Sequence, residues 1–172
     1  MRFQPTKRPT NPNGFTLTEA LVTVGIVGTL SAIAMPNYFN QLELTKQRDA
    51  TTAVNYAMSL ASTFNDEFGA PAKGWNELDE VGTIMAKDGP ATAETFEKII
   101  LPGGKYTLKG KLEDNTYTFT AAKYNPNLED ETPNKNKYAI LGCINVLTGA
   151  SQVKLGGQNL SETNGQLECS IS

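Results

Sequence analysis

The uninterrupted apolar segment from Phe15 to Met35 limits the possible folds of this chain more than any other part of it. As a helix it would be about 31 Å long, close to the hydrocarbon thickness of a bilayer. Its single charged residue is Glu19. A carboxylate inside a membrane helix costs roughly 2.5–3.5 kcal/mol on insertion scales. The segment therefore predicts a membrane helix that carries one costly acid, and this acid needs a partner or a function.

The charge of the chain is unevenly distributed along it. Arg2, Lys7 and Arg8 lie before the apolar segment, and no acid precedes Phe15. By the positive-inside rule this end stays cytoplasmic and the remainder is sent outward. With these three bases set aside, the net charge of −3 for the whole chain becomes −6 for the remainder. An acidic body disfavours general binding of nucleic acid.

The chain of 172 residues contains no histidine. This absence excludes Ser-His-Asp and Cys-His catalysis and every metal site that needs imidazole. We predict no catalytic residue, no metal ligand and no cofactor, and hence a protein that is not an enzyme.

Two ordinary interpretations of the apolar segment are open. A cleavable secretory signal would use the small-x-small sequence Ala32-Ile33-Ala34, although the segment is longer than most signal cores and contains an acid. An uncleaved anchor would place Glu19 in the first helical turn, where the helix dipole favours negative charge. Thr16 and Glu19 also have the spacing of a capping box, which is a sufficient local reason for the acid.

A third interpretation accounts for the basic leader, the glycine, the acid and the apolar segment together. The chain resembles the type IV pilins and their relatives, whose precursors carry a class III signal peptide. One departure is mild, because Thr18 stands where most members of that family have an aliphatic residue. The resemblance covers Gly14, Phe15, Thr16, Leu17, Glu19, the apolar run to Met35, and Pro36 at the position of a helix-bending proline.

The resemblance implies a specific processing and assembly chemistry. A prepilin peptidase would cut between Gly14 and Phe15 on the cytoplasmic side and N-methylate the new Phe15 amine. Glu19 would then meet the N-terminal amine of a neighbouring subunit, so that two opposite charges are buried together. Gly28 and Pro36 would mark a helix break, although Gly28 could equally serve close helix packing.

The period of the apolar residues divides the remaining chain. After Pro36 the helical pattern resumes and continues to Phe68, where Gly69-Ala70-Pro71 stops it. We therefore expect a leader over 1–14, a transmembrane and filament-core half of the helix over 15–35, an amphipathic outer half over 36–68, and a globular domain over 69–172. Ala50, Val54, Ala57, Leu60 or Ala61, Phe64 and Phe68 are the predicted core positions of the outer half.

Alternating residues predict an antiparallel sheet in the globular domain. "KYTLKGKL" and "TYTFTAAKY" flank a turn at Glu113-Asp114-Asn115, "YAILGCINVL" predicts a central strand, and "SQVKL" follows it. A short helix is expected around Ala93–Ile100, and a polar loop over 125–137. The fold class is α+β, and the resemblance implies a pilin-like helix spine on a sheet of about four strands. The predicted inward residues of the hairpin are Tyr106, Leu108, Leu112, Tyr117, Phe119 and Ala121.

Three smaller features complete the predicted sites. Two cysteines, Cys143 and Cys169, both lie near the C-terminal end. Behind an outward-leading membrane segment they favour a disulfide over two independent buried thiols.

Four lysines lie on neighbouring strands of the predicted hairpin: Lys105, Lys109 and Lys111 share one strand face, and Lys123 lies on the neighbouring strand. They indicate a weak basic patch or a solvated sheet face. Asn159-Leu160-Ser161 matches a glycosylation acceptor, a pattern common by chance.

The resulting hypothesis is a structural subunit of a type IV pilus-like surface filament. Before assembly it would span the inner membrane once with its N-terminus cytoplasmic, and afterwards it would be part of an extracellular pilus. Its partners would be a prepilin peptidase and copies of itself or other pilins. The alternatives are a minor pilin, a type II secretion pseudopilin, a pilus-associated DNA-uptake receptor that uses the lysines, and a soluble domain freed by signal cleavage.

Overall fold

The computed structural model describes residues 14–124, residues 138–156 and Cys169. The basic leader before Gly14, the predicted loop over 125–137 and the acceptor sequence at Asn159 lie outside the described residues. The described elements, in chain order, are α1 (Leu17–Phe68), α2 (Trp75–Leu78), β1 (Met85–Ala86), β2 (Gly89–Pro90), β3 (Ile99–Ile100), β4 (Tyr106–Glu113), β5 (Thr116–Lys123), β6 (Ile140–Asn145) and β7 (Ser151–Leu155).

The chain divides into two compact units, one up to Gln41 and one from Leu42 onward. In the first unit, the described residues form the N-terminal part of α1 and leave their apolar side chains exposed. In the second unit, α1 buries one face against the sheet. The buried residues of that face are Gln47, Ala50, Val54, Ala57, Met58, Leu60, Ala61 and Phe64.

The α+β fold class is confirmed, because a long N-terminal helix packs on an antiparallel sheet. The sheet has the order β3-β4-β5-β6-β7 within the described residues, one strand more than the four expected. The extra strand is β3, which lies in the segment where a helix was expected. β1 and β2 form a separate two-stranded sheet.

The hairpin of β4 and β5 forms where the alternation predicts it, with a turn one residue shorter than the expected Glu113-Asp114-Asn115. Glu113 pairs with Thr116, so Asp114 and Asn115 form a two-residue turn, and both have positive φ. This is the conformation that such turns need to match the twist of the strands. All predicted inward residues of the hairpin are buried except Leu112, which is half-buried.

The predicted helix around Ala93–Ile100 is wrong. Ile99 pairs with Leu108 and Ile100 with Thr107, so the end of this segment is strand β3. Phe96 is buried, and its carbonyl accepts a hydrogen bond from the Gly110 N–H at 3.2 Å. Tertiary pairing with β4 therefore overrides the local helical propensity.

An aromatic cluster fills the space between the connecting segment and the sheet. The Trp75 ring lies edge-on to Phe96, with ring centroids 5.0 Å apart, and its indole N–H donates to the Glu97 carbonyl at 2.8 Å. Tyr117 and Phe119 of β5 stack nearly parallel with centroids 5.8 Å apart. Trp75 is thus a core residue, and its indole N–H keeps a hydrogen-bond partner in the core.

The helix and the sheet approach each other closely at Gly142 of β6. A methyl group built on Gly142 would lie 2.5 Å from Val54 Cγ1 and 2.7 Å from Met58 Sδ. Separations this short lie well inside van der Waals contact, so a side chain there requires α1 to move. Glycine at this position therefore sets the depth at which α1 packs on the sheet.

Two side chains of α1 differ from the predicted amphipathic pattern. Gln47, expected among the polar positions, is buried and donates from Nε2 to the Gly156 carbonyl at 2.7 Å. Phe68, expected in the core, is 49% exposed and stacks on Phe64 with ring centroids 4.4 Å apart. The helix ends there because Gly69 adopts φ 68°, a left-handed conformation favoured by glycine.

Candidate functional site

The start of α1 forms a complete capping box. The Thr16 N–H donates to Glu19 Oε2 at 2.9 Å, and the Thr16 hydroxyl donates to the same oxygen at 2.7 Å. The Glu19 N–H in turn donates to Thr16 Oγ1 at 3.3 Å. In the single chain, Glu19 is therefore fully engaged as a helix cap, the arrangement that its spacing from Thr16 indicates.

The helical segment after this cap is long and apolar enough to cross a membrane, by length and composition alone. None of its residues is buried within the chain. Leu17 is 78% exposed and Ile33 is 70% exposed. Soluble monomers rarely leave so large an apolar surface uncovered, which indicates that a membrane or other subunits cover it.

The helix break expected at Gly28 and Pro36 concerns the assembled filament, and in the single chain the helix is continuous there. α1 is one helix through both Gly28 and Pro36. Pro36 has no N–H to offer the Ala32 carbonyl, while the Asn37 side chain donates to the neighbouring Ile33 carbonyl at 3.4 Å. A methyl group on Gly28 would meet nothing within 4 Å, so Gly28 makes no close packing within one chain.

An ion-pair cluster joins α1 to the sheet in the second unit. The Glu43 carboxylate pairs with Lys123 of β5 at 2.6 Å and with Lys46 of α1 at 3.1 Å. The hydrogen bond from Lys123 holds the pKa of Glu43 below its ordinary value. Burial raises the pKa of nearby Tyr106 to about 12, and the Glu43 carboxylate adds to that rise. Glu43 is thus an anion and Tyr106 a neutral phenol at neutral pH.

The cluster was not anticipated from the sequence. Glu43 and Lys123 lie in different elements, far apart along the chain, and no motif links them. Alternation along β5 and the register of the hairpin were the available signals, because Lys123 pairs with Tyr106 and so shares the face of that buried residue.

The four lysines of the predicted basic patch do not share one face. Lys109 and Lys111 are exposed on the side of the sheet away from α1, and Lys111 pairs with Glu113 at 2.6 Å. Lys123 lies on the opposite side, where it binds Glu43. The reason is the two-residue turn, which places Lys123 opposite Tyr106 instead of opposite an outward residue. Lys105 precedes β4 and lines a cavity beside α1.

A disulfide joins Cys143 and Cys169, with their Cα atoms 6.0 Å apart. Cys143 alternates with Gly142 and Ile144, which face α1, so its sulfur lies on the far side of the sheet. Both cysteines are almost completely buried. The bond therefore holds Cys169 itself against the outer face of β6.

Within 14–124, 138–156 and Cys169, no group of three or more His, Cys, Asp or Glu is placed to hold a metal ion. The buried Tyr117 hydroxyl donates to the Ala72 carbonyl at 2.8 Å, and burial raises its pKa above the ordinary value. This tyrosine is a structural donor of the core.

Part of the chain is similar to a known pilin. Over 66 residues, 38% of its length, it is 36% identical to the type IV major pilin protein PilA of Myxococcus xanthus. The match spans 28% of the length of that pilin. No protein-family model and no solved structure matches the chain.

The similarity supports the pilin family. It fits the exposed apolar helix and the disulfide-bonded α+β unit described above, and it favours a structural protein over an enzyme. It also fits anchoring in a membrane and a place in a surface pilus.

Proposed function

We propose that the chain is a structural subunit of a type IV pilus-like filament, made as a precursor and assembled through its N-terminal helix. The observation that carries the proposal is the contrast between the two parts of α1. The residues from Leu17 to Met35 are exposed throughout, whereas those from Gln47 to Phe64 bury one face on a sheet. A helix built in this way can leave a membrane and enter the core of a filament while its folded unit stays outside.

In this function, four parts of the chain have separate roles. Residues 1–14 are the leader that a prepilin peptidase removes, and 15–35 span the inner membrane once with the N-terminus cytoplasmic. Residues 36–68 connect that segment to the folded domain over 69–172. After assembly, 15–35 lie among the same segments of other subunits, where their apolar surface is removed from both lipid and water.

Cleavage after Gly14 and methylation of Phe15 would leave a positive amine one helical turn from Glu19. In the single chain, that carboxylate is bonded to Thr16. During assembly it exchanges part of this cap for the amine of a neighbouring subunit. Burying both charges together offsets much of the cost of burying either alone. The cap keeps the acid in place until the partner arrives.

Three of the alternatives have less support than the structural subunit. The similarity is to a major pilin, which favours a major subunit over a minor pilin or a pseudopilin. The DNA-uptake receptor needs the four lysines on one surface, but Lys123 is engaged with Glu43 and Lys111 with Glu113. We therefore take the structural subunit as the function.

The test is the mass and the N-terminal residue of the protein in filaments sheared from cells. We expect an abundant protein that begins with N-methylated Phe15. A chain that begins with Met35, just after the small-x-small sequence, would establish the secretory interpretation and refute the proposal. Replacing Gly14 by a bulky residue should leave unprocessed precursor in the membrane, with Thr18→Ile as the matched control that keeps processing.

A further inference from the structure

A cavity of about 510 Å³ opens beside the second half of α1. Its lining includes Ala50 and Ala53 of α1, and Ile84 and Leu101 on the facing wall. Its volume lies within the usual range of ligand pockets, about 300–1,000 Å³. We refer to this cavity as the α1 groove. It is large enough to receive an aromatic side chain.

Two large side chains of the α1 groove stay open to solvent. Tyr56 is 44% exposed and Met85 is 52% exposed, although both line an otherwise apolar cavity. Of the two lysines in the lining, Lys46 is already paired with Glu43, so Lys105 is the one that can meet a further acid. The α1 groove is therefore a mostly apolar surface with one lysine of this kind, suited to an apolar side chain that has a carboxylate beside it.

A surface with those properties lies at the C-terminal end of the same helix. Asp66 and Glu67 are exposed there, and Phe68 is 49% exposed. We refer to residues 66–68 as the acidic knob. The last turn of α1 contains no basic residue, so both acids add to the negative end of the helix dipole. Acids at this end of a helix are locally unfavourable, and residues that break such a local rule in a natural protein often belong to a functional contact.

The acidic knob cannot reach the α1 groove of its own chain. Of the lining residues on α1, Tyr56 is the one nearest to Phe68 along the helix. Even these two residues are separated by about 18 Å along the axis of a continuous helix. Any contact between knob and groove must therefore join two copies of the chain.

We propose that the acidic knob of one copy docks in the α1 groove of the next. Phe68 covers the apolar wall near Tyr56 and Met85, and Glu67, its neighbour in the chain, approaches Lys105. Because the two surfaces are different and lie at different places on the chain, the contact is head-to-tail. Contacts of this kind repeat from copy to copy and generate a helical filament when the rotation between copies does not close into a ring. The proposal rests on the proposed filament function and assigns it a specific contact of the folded unit.

Cysteine cross-linking tests the contact directly in full-length protein on cells. Ala70→Cys lies just beyond the knob and Met85→Cys lies in the groove wall, and both positions are exposed. Filaments of the double variant, treated with a short thiol cross-linker, should give a ladder of dimers, trimers and longer species. Each single variant should stay monomeric. The matched control is Ala70→Cys with Lys109→Cys, which is equally exposed but lies on the far face of the sheet.

Charge exchange provides a second, independent test. Lys105→Glu or Glu67→Lys alone places like charges at the contact and should lower the yield of sheared filaments several-fold. The double variant Lys105→Glu/Glu67→Lys should restore much of that yield. Phe68→Ser should lower it as well, whereas Phe68→Leu should not. Membrane level, cleavage after Gly14 and the fluorescence of Trp75 should stay unchanged in all of them, because the replaced side chains are exposed.

The outcomes separate this contact from the proposed function. Normal filaments whose double-cysteine variant gives no ladder would overturn the contact and leave the filament subunit intact. Dimers without longer species would indicate a symmetric contact and would also overturn it. If cells with the unchanged chain form no filaments, the proposed function fails, and this contact fails with it.

Discussion

Replacing Gly142 by alanine tests whether the close approach of α1 to β6 holds the folded unit together. The new methyl group would lie 2.5 Å from Val54 Cγ1 and 2.7 Å from Met58 Sδ. Val54 is completely buried and Met58 is nearly so, and neither side chain has open solvent to move into. The helix must therefore shift away from the sheet.

The expected decrease in the free energy of unfolding is the balance of two opposing effects. Inserting a methyl group into a packed core costs typically about 1–3 kcal/mol. Alanine also reduces the conformational entropy of the unfolded chain, which stabilises the folded state by about 0.4–1 kcal/mol. Gly142 has no positive φ that alanine would have to adopt. We expect Gly142→Ala to lower the free energy of unfolding by about 1–2 kcal/mol.

A double variant separates overpacking from other causes. Val54→Ala alone should cost about 2 kcal/mol, because two buried methyl groups are lost and a cavity is left. In Gly142→Ala/Val54→Ala the added methyl group occupies part of that cavity. The combined loss should therefore be smaller than the sum of the two single losses by about 1 kcal/mol or more.

Urea unfolding of the full chain in detergent, followed by fluorescence, measures these differences. Trp75 is the one tryptophan of the sequence and is 1% exposed, so its emission reports on the core. Gly25→Ala is the matched control, because a methyl group there meets nothing within 4 Å. A Gly142→Ala variant as stable as the wild type, or additive losses in the double variant, would refute the packing argument.

Three further predictions concern the cap, the disulfide and the ion pairs. Glu19→Gln keeps a capping side chain but removes the charge, so processing and membrane level should be unchanged while the yield of sheared filaments falls; a normal yield would leave Glu19 as a cap only. Cys169→Ser should lower the free energy of unfolding by about 3.5 kcal/mol in the chain-entropy model, given the sequence separation of 26 from Cys143, and limited proteolysis should then cleave the C-terminal tail. Because the folded-state pKa of Glu43 is lowered, its stabilising contribution is present above the unfolded value of about 4.5 and is lost as the pH falls through the folded value. Urea unfolding at a series of acidic pH values should show a weaker pH dependence for Glu43→Gln, and identical curves would contradict this assignment.

The sequence by itself determined the elements whose signals are local. A long apolar segment, a helical period up to Phe68 and a glycine stop predicted α1, which the structure extends from Leu17 to Phe68. Alternation on both sides of Asp114-Asn115 predicted a hairpin and the residues of it that face inward. These features depend on neighbours close by in the chain, so the periods of helix and strand are visible in the sequence itself.

Tertiary structure decided the features that depend on distant partners. Ile99 and Ile100 form a strand because β4 provides partners for their backbone hydrogen bonds. No pattern within the segment itself indicates this pairing. Lys123 faces α1 because the hairpin register decides on which face of the sheet each residue of β5 lies. A register shift of one position would have placed Lys123 with Lys109 on the outer face.

The contacts that join α1 to the sheet are of the same kind. Gln47 bonds to the Gly156 carbonyl across 109 positions, and Glu43 of α1 meets Lys123 of β5. The α1 groove likewise arises between segments that are distant in sequence. Such contacts are selected by how α1 lies on the folded sheet, a geometry that periodicity along one chain does not specify. The local signals therefore predicted which elements form, and, apart from the disulfide, packing decided which distant side chains meet.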